Sequence, residues 1–315
     1  MPQPTAGDVH VNRPLTNMSI AYLQTQEQFI ATKVFPNIPV QKSSDNYFTY
    51  PKQQWFRTDA KERPPATESA GSGYDVSTAT YSCTPFALHK DVDDQLRANA
   101  DAPINLDSEA AEFVTRGLAL KREKDWAAKY FTGSVWSADV TPSPLWDAAS
   151  SVPFDNIRAQ ADAIHKLTGY RPNTLVLARD VWSVLQDHEE LLERIKYTQK
   201  GIVTTDLLAS VLELDKVLIA AAVEDTAKER GTANMSWLYS KDALLVYAAP
   251  KPSLMHPSGG YTFSWNGYLG ASAEGTRIKR FRMEKLASDR VEGEMAYDQK
   301  VVATDLGVFF ENVIS

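Results

Sequence analysis

The side chains best able to do chemistry are thinly spread along this sequence. Its five histidines, His10, His89, His165, His188 and His256, are scattered. No two share the spacing at which a helix or hairpin offers paired imidazoles to one metal ion, and none is marked as a catalytic base. The nearest approach to a carboxylate cluster is the stretch HKDVDDQ, which sets Asp91, Asp93 and Asp94 beside His89. It lacks the glycine and the distal glutamate of a calcium loop, so a solvated loop or a structural ion-pair site accounts for it better. The run RIKRFR gathers Arg277, Lys279, Arg280 and Arg282. On a strand, Arg280 and Arg282 face opposite Arg277 and Lys279, so the charge spreads over both faces. An exposed strand paired with acidic neighbours fits that pattern better than a grip on nucleic acid.

Phosphate and acyl chemistry leave no mark either. The sequence contains no G-x-S-x-G, no G-x-x-x-x-G-K-[ST] and no G-x-G-x-x-G after a strand. Thr174 to Ala178 is a short apolar, β-branched run that leads into a helical pattern, with Asp180 as the expected N-cap. A nucleotide-binding unit would put glycines at that junction; this chain has Ala178-Arg179-Asp180, whose carboxylate repels phosphate. Gly71-Ser72-Gly73 lies in a long polar segment and reads as loop chemistry. No catalytic, cofactor or metal site is therefore expected, and the elements themselves become the object of interest.

Composition sets the bounds. With 315 residues, 43% hydrophobic and 23% charged, the chain has room for two or three units of roughly 100 to 150 residues. A formal charge of -7 excludes a general nucleic-acid gripper driven by phosphate neutralisation. Cys83 is the only cysteine, so an internal disulfide is excluded and a reducing compartment fits. No apolar run approaches the roughly 20 residues of a membrane span, and no export signal is visible at the start.

The elements read in order as follows. Up to about Val40 the chain is rich in proline, with a short helix-like stretch around Ile20 to Ile30, and reads as an arm. Its apolar cluster Phe29, Ile30, Val34, Phe35, Ile38 and Val40 needs a surface to cover it. Tyr47 to Cys83 has strand-like ends, Tyr47 to Tyr50 and Val76 to Ser82, around a polar middle with Pro64, Pro65, Gly71 and Gly73. So long a loop is uncommon unless functional, and an isolated two-stranded ribbon must lean on a partner. Trp55 and Phe56 near its tip strengthen the point. Asp107 to Phe131 is the clearest helix, with Asp107 as N-cap and Ala110, Phe113, Gly117, Leu120, Lys124, Ala127 and Phe131 along one face. At 1.5 Å per residue it is about 37 Å long, a beam whose two ends can serve different layers. Beyond Thr141 to Pro153 an α/β region follows: a helix ending at Gly169, the strand and helix above, a helix over Thr204 to Leu214, and strands Val217 to Val223 and Trp237 to Ala248. RVEGEMAYDQKVVATDLGVFF closes the chain as strands with turns near Asp298 and Asp305.

This order of elements resembles the major capsid proteins of tailed bacteriophages, whose fold encapsulin shells also use. RPNTLVLARDVWSVLQDHEELLERI looks like the axial-domain strand and helix of that family, and AYDQKVVATDLGVFFENVI like its C-terminal peripheral strands. The resemblance implies an α+β fold with an N-terminal arm (1–42), an extended β-hairpin loop (43–83), a peripheral domain with the spine helix (84–152), an α/β axial domain (153–252) and a return through axial and peripheral strands (253–315). It further implies a non-enzymatic subunit, made in the host bacterial cytoplasm and located in the virion. Such a subunit assembles into pentamers and hexamers of an icosahedral head around double-stranded DNA, held weakly and without sequence specificity. Expected partners are the chain itself, a separate scaffolding protein, a portal protein and a decoration protein, with no membrane. The scaffold is expected to be separate because the arm begins almost at Met1, where some relatives carry a cleaved scaffolding segment. The residues expected at intersubunit contacts are Trp55, Phe56, Arg57, Lys61, Glu62, Arg63, Phe29 and Phe35. The rival readings are an encapsulin-like compartment, an α/β enzyme with an unrecognised site, and a phage decoration or tail protein.

Overall fold

A computed structural model of the chain describes residues 28–100, 105–195, 204–228, 231–252, 256–269 and 276–315. The helix expected from Ile20 lies almost wholly outside the described residues. Two mixed sheets carry the described structure. In the first, strands Asn37–Val40, Gly260–Trp265, Ser288–Val301 and Thr276–Met283 lie side by side in that order, and Thr84–Asp93 also pairs with Ser288–Val301. In the second, the order is Asp139–Val140, Gly307–Phe310, Ala243–Val246, Thr174–Ala178 and Lys216–Ala220.

The expected beam is present as the helix Leu106–Tyr130. Its cap differs: Asn105 Oδ1 accepts from Ser108 N–H at 3.2 Å, while Asp107 turns aside to pair with Arg97 at 2.8 Å. Its buried residues are Leu106, Ala110, Val114, Leu118, Glu123, Trp126 and Ala127; of the face read from the sequence Ala110, Ala127 and the C-cap Phe131 are buried, whereas Phe113 is 58% exposed. Steps of four residues advance the buried stripe by about 40° each at 3.6 residues per turn, so the stripe winds around the helix. Val114 and Leu118 pack with Met295 and Tyr297 of the first sheet. Gly293 permits the close approach, since a Cβ there would lie 2.4 Å from Val114 Cγ1. Further along, Trp126 and Phe131 join the core of the second sheet, where Phe131 meets Phe309 edge-on at 5.4 Å and Tyr239 at 5.1 Å. One helix therefore serves both layers. Each large apolar side chain buried there contributes about 1.5–3 kcal/mol, which fixes the beam to the second sheet.

The α/β region holds the helix Pro153–Thr168, closed by Gly169 at φ 75°, whose N–H donates to His165 O at 2.7 Å. Thr174–Ala178 is buried throughout, as befits an inner strand. The following helix is Arg179–Gln186 and starts without a side-chain cap: Asp180 sits in its first turn, not at its N-cap. Thr205–Leu212 follows as expected. The two long strands expected next are each interrupted. Lys216–Ala220 stays in the second sheet, while Val223–Asp225 pairs with Met235–Trp237 as a small ribbon, and Ala243–Val246 returns to the sheet.

The C-terminal stretch divides between the two sheets. Asp298 lies inside Ser288–Val301, not at a turn, and only the first part of the stretch belongs to the first sheet. Gly307–Phe310 is buried on both faces and pairs with Ala243–Val246 in the second sheet.

Candidate functional site

Three clusters bring together side chains capable of chemistry. The first pairs Ser151 with His188, both buried, with Oγ and Nε2 2.9 Å apart. A nucleophilic serine needs a neighbouring imidazole nitrogen that can accept its proton. Here His188 Nδ1 accepts from Glu190 N–H at 3.2 Å, which leaves the proton on Nε2. Nε2–H therefore donates to Ser151, and Ser151 Oγ donates onward to Ala148 O at 2.7 Å. The pair ties the segment before Pro153–Thr168 to the link between Arg179–Gln186 and Glu189–Ile195, and cannot activate the hydroxyl.

The second cluster joins the two charged runs of the sequence. Arg290 pairs with Asp91 through Nε at 2.7 Å, and Arg282 holds Asp94 through both terminal nitrogens, at 2.7 and 2.5 Å. Asp289 receives Arg280 at 2.7 Å and Arg97 at 2.8 Å, which hold its carboxyl down to about 2. Asp93 caps the helix Asp94–Asn99 by accepting from Gln95 N–H at 2.7 Å. Arg277 and Lys279 share Glu294 on the opposite face. The carboxylates and the basic strand thus satisfy one another. Among the described residues no group of three His, Cys, Asp or Glu side chains is placed to hold a metal ion. Cys83 is buried, and burial pushes its thiol up to about 12, so it is no nucleophile. No helix among the described residues is long and apolar enough to cross a membrane.

The third is a buried carboxylate that sequence reading missed. Glu123 on the beam is 1% exposed and accepts from Ile30 N–H at 2.8 Å, from Ala31 N–H at 2.9 Å and from the Tyr239 hydroxyl. Burial raises its pKa and the three donors oppose the rise. It clamps the end of the arm to the beam and to the link that leads into Ala243–Val246. A lone acidic residue one helical turn before Trp126 carries no signal of that kind in sequence.

What remains is the long loop, where the exposed apolar surface collects. Ser44–Thr49 pairs antiparallel with Ser77–Ser82, from Ser44 opposite Ser82 to Thr49 opposite Ser77. One face of this ribbon leans on its own chain: the rings of Tyr47 and Tyr81 stack on Phe263 at 5.5 and 4.6 Å. Ser82 N–H donates to Asp298 at 2.8 Å and Cys83 N–H to Ser43 O at 2.7 Å. The expectation that only another molecule could support the ribbon is corrected for its foot. The other face carries Phe48, 59% exposed. Past the ribbon, the short helix Lys52–Trp55 is tied by an ion pair from Lys52 to Asp305. Phe56 lies over Gly169, where an added Cβ would come within 3.1 Å of its ring. From Trp55 to Thr78 every residue is exposed, including Trp55, Phe56, Tyr74 and Val76.

Of the residues expected at intersubunit contacts, Trp55, Phe56, Arg57, Lys61, Glu62 and Arg63 all lie on this exposed segment. Arg63 Nε donates to Thr67 O at 2.6 Å. Phe29 and Phe35 do not belong with them. Phe35 is fully buried against Trp126, Tyr130 and Trp136, at 5.6, 5.0 and 6.3 Å, and Phe29 sits in the same core. Ile30 and Val34 share that core with Trp126 of the beam, while Ile38 and Val40 pack beside Tyr81, Cys83, Tyr261 and Phe263, so the arm's apolar cluster is covered by its own chain. Phe48, Tyr50, Tyr74 and Val76 add to the exposed apolar surface of the loop and were not singled out in the sequence; the strand alternation around Tyr47 and the tyrosine after Gly73 were the available signals.

Comparison with known proteins adds an independent line. Residues 138–249 match the family model described as phage major capsid protein E. The major capsid protein of Burkholderia phage BcepMu is 28% identical over 291 residues, covering 88% of this chain and 90% of that protein. The major capsid protein of Pseudomonas phage JBD67 is 24% identical and covers 97% of each. Among solved structures, a phage-related protein from Bordetella bronchiseptica superposes with a TM-score of 0.70 at 22% identity, covering 92% of this chain and 94% of that one. The SrpI encapsulin of Synechococcus elongatus superposes with a TM-score of 0.58 at 10% identity, over 96% of this chain and 95% of that one, a likeness of fold alone.

Proposed function

The chain belongs to the phage major capsid protein family and is a structural, self-associating protein of the tailed-phage head, and from that premise we propose that its extended loop is the clasp between neighbouring subunits. The observation that carries the reading is the unbroken exposure from Trp55 to Thr78, with large apolar side chains among the polar ones. Such side chains cost little as single residues on a surface, but a contiguous set marks a binding surface. Subunits joined in this way form the pentamers and hexamers of an icosahedral head around double-stranded DNA. The arm, loop, peripheral, axial and return segments divide the chain at about residues 42, 83, 152 and 252. To the same reading belong a separate scaffolding protein, a portal protein and a decoration protein. DNA is held weakly, in keeping with the formal charge of -7. The encapsulin reading draws on fold likeness alone, whereas both sequence relatives are phage capsid proteins.

Replacing Trp55 to Gly73 by a short turn tests the clasp. Closing a shorter loop changes the entropy by about 1 kcal/mol or less, so the melting temperature should barely move. Burial of Trp55 and Phe56 on a neighbour contributes about 1.5–3 kcal/mol each, and its loss at every contact should abolish particles counted by electron microscopy. A shortened chain that folds and assembles normally overturns the reading.

A further inference from the structure

Where the loop leaves its ribbon it carries a group of aromatic and polar side chains that contact one another and yet stay open to solvent. The rings of Tyr50, Trp55 and Tyr74 form a triangle: Tyr50 to Trp55 6.2 Å, Tyr50 to Tyr74 6.2 Å and Trp55 to Tyr74 5.2 Å. All three remain open to solvent, at 36%, 50% and 60% exposure. Beside them is a pocket of about 210 Å³ lined by Gln54, Trp55, Ser72, Gly73 and Tyr74. Two of the lining side chains hold a carboxylate in place. Gln54 Nε2 donates to Asp75 Oδ2 at 2.6 Å, with Asp75 N–H returning to Gln54 Oε1, and Ser72 Oγ donates to Asp59 Oδ2 at 2.6 Å. Neither Asp59 nor Asp75 has a lysine or arginine partner among the described residues.

Aromatic faces carry negative potential and attract a cation within about 6 Å of the ring centroid. Two anchored, unneutralised carboxylates beside such faces add to that potential. An apolar knob would gain nothing from them and would pay for their desolvation. We propose that this pocket receives a lysine or arginine side chain of a second copy of the chain. The inference rests on the loop-clasp reading above and adds the chemistry of the contact. The chain supplies suitable cations: Lys166, Arg179, Lys251 and Lys285 are exposed and pair with no carboxylate among the described residues.

The test compares the critical concentration for assembly of the full-length chain, W55L, the double variant D59N and D75N, and the shortened loop, at low and high salt. Trp55, Asp59 and Asp75 are exposed, so none of these substitutions disturbs a core. W55L and the double variant should each raise the critical concentration by about 3- to 30-fold, and high salt should raise it for the parent chain more than for the double variant. In the unassembled chain, the fluorine signal of 5-fluorotryptophan at position 55, assigned by its loss in W55L, should shift with N-acetyl-arginine amide and not with N-acetyl-norleucine amide. An effect of W55L without one of the double variant means that the pocket takes an apolar side chain, and overturns the proposal. Normal assembly of both overturns it too, while failure of the shortened loop would still uphold the clasp. Assembly of the shortened loop would remove the clasp reading itself.

Discussion

Glu123 offers a test of how the arm is held. Its carboxylate receives three donors, Ile30 N–H and Ala31 N–H at 2.8 and 2.9 Å and the Tyr239 hydroxyl, with 1% of the residue exposed. A glutamine there keeps the shape but only one acceptor atom. If its carbonyl takes the Oε1 place, it satisfies Ile30 and Tyr239, and its amide nitrogen faces the Ala31 N–H, donor against donor. One unsatisfied buried N–H costs about 1–3 kcal/mol. For a chain of 315 residues that lowers the melting temperature by about 1.5–4.5 °C. Glu123→Ala removes every acceptor and opens a cavity, and should cost more. The pH dependence has a definite sign. Burial raises the folded-state pKa of Glu123 above its unfolded value, so the native state takes up the proton more readily. The contribution of Glu123 to stability is therefore greatest below the unfolded value and declines as pH rises to the raised folded value. Glu123→Gln has no such titration. The stability gap between parent and Glu123→Gln, measured by urea unfolding of the unassembled subunit, should widen as pH falls from neutrality toward the unfolded value. A gap that stays constant, or a Glu123→Gln variant as stable as the parent at every pH, would refute the argument.

Gly293→Ala should separate the beam from the first sheet, because the new Cβ would meet Val114 Cγ1 at 2.4 Å; a loss of about 1–3 kcal/mol in urea unfolding is expected, and an unchanged midpoint contradicts the packing. Asp289, held down to about 2 by Arg280 and then Arg97, contributes stability that is present above the ordinary aspartate pKa of 3.8 and lost as pH falls through the lowered one. Acid unfolding curves of Asp289→Asn and parent should therefore converge between those two values, and parallel curves down to the acid limit would count against the ion-pair account.

Much of this fold is legible in the sequence where local chemistry and tertiary contacts agree. The beam announces itself through length and composition, Gly169 through the left-handed turn that only it takes easily, and the ribbon through its β-branched and aromatic ends. The misreadings arise where tertiary demands differ from local ones. Asp107 is a good cap by type, but two arginines, Arg97 and Arg280, draw it away and Asn105 takes the cap. The buried stripe of the beam winds because it serves two sheets, so no single face describes it. Gly307–Phe310 is a continuous apolar run, the mark of a strand covered on both faces; its partner Ala243–Val246 lies more than sixty residues away and could not be read locally. Phe29 and Phe35 look like contacts for another molecule only because the beam that buries them is remote in sequence. Trp55 and Phe56 stood out because a polar, proline-broken segment gives large apolar side chains no core of its own.

The most direct measurement is cryo-electron microscopy of particles assembled from the purified full-length chain, at a resolution that traces the loop. The account predicts closed shells in which Trp55 to Thr78 of each subunit lies on a neighbouring copy, with Trp55 and Phe56 buried there. Shells in which that segment stands free in solvent, or a chain that stays monomeric at every concentration, would contradict it.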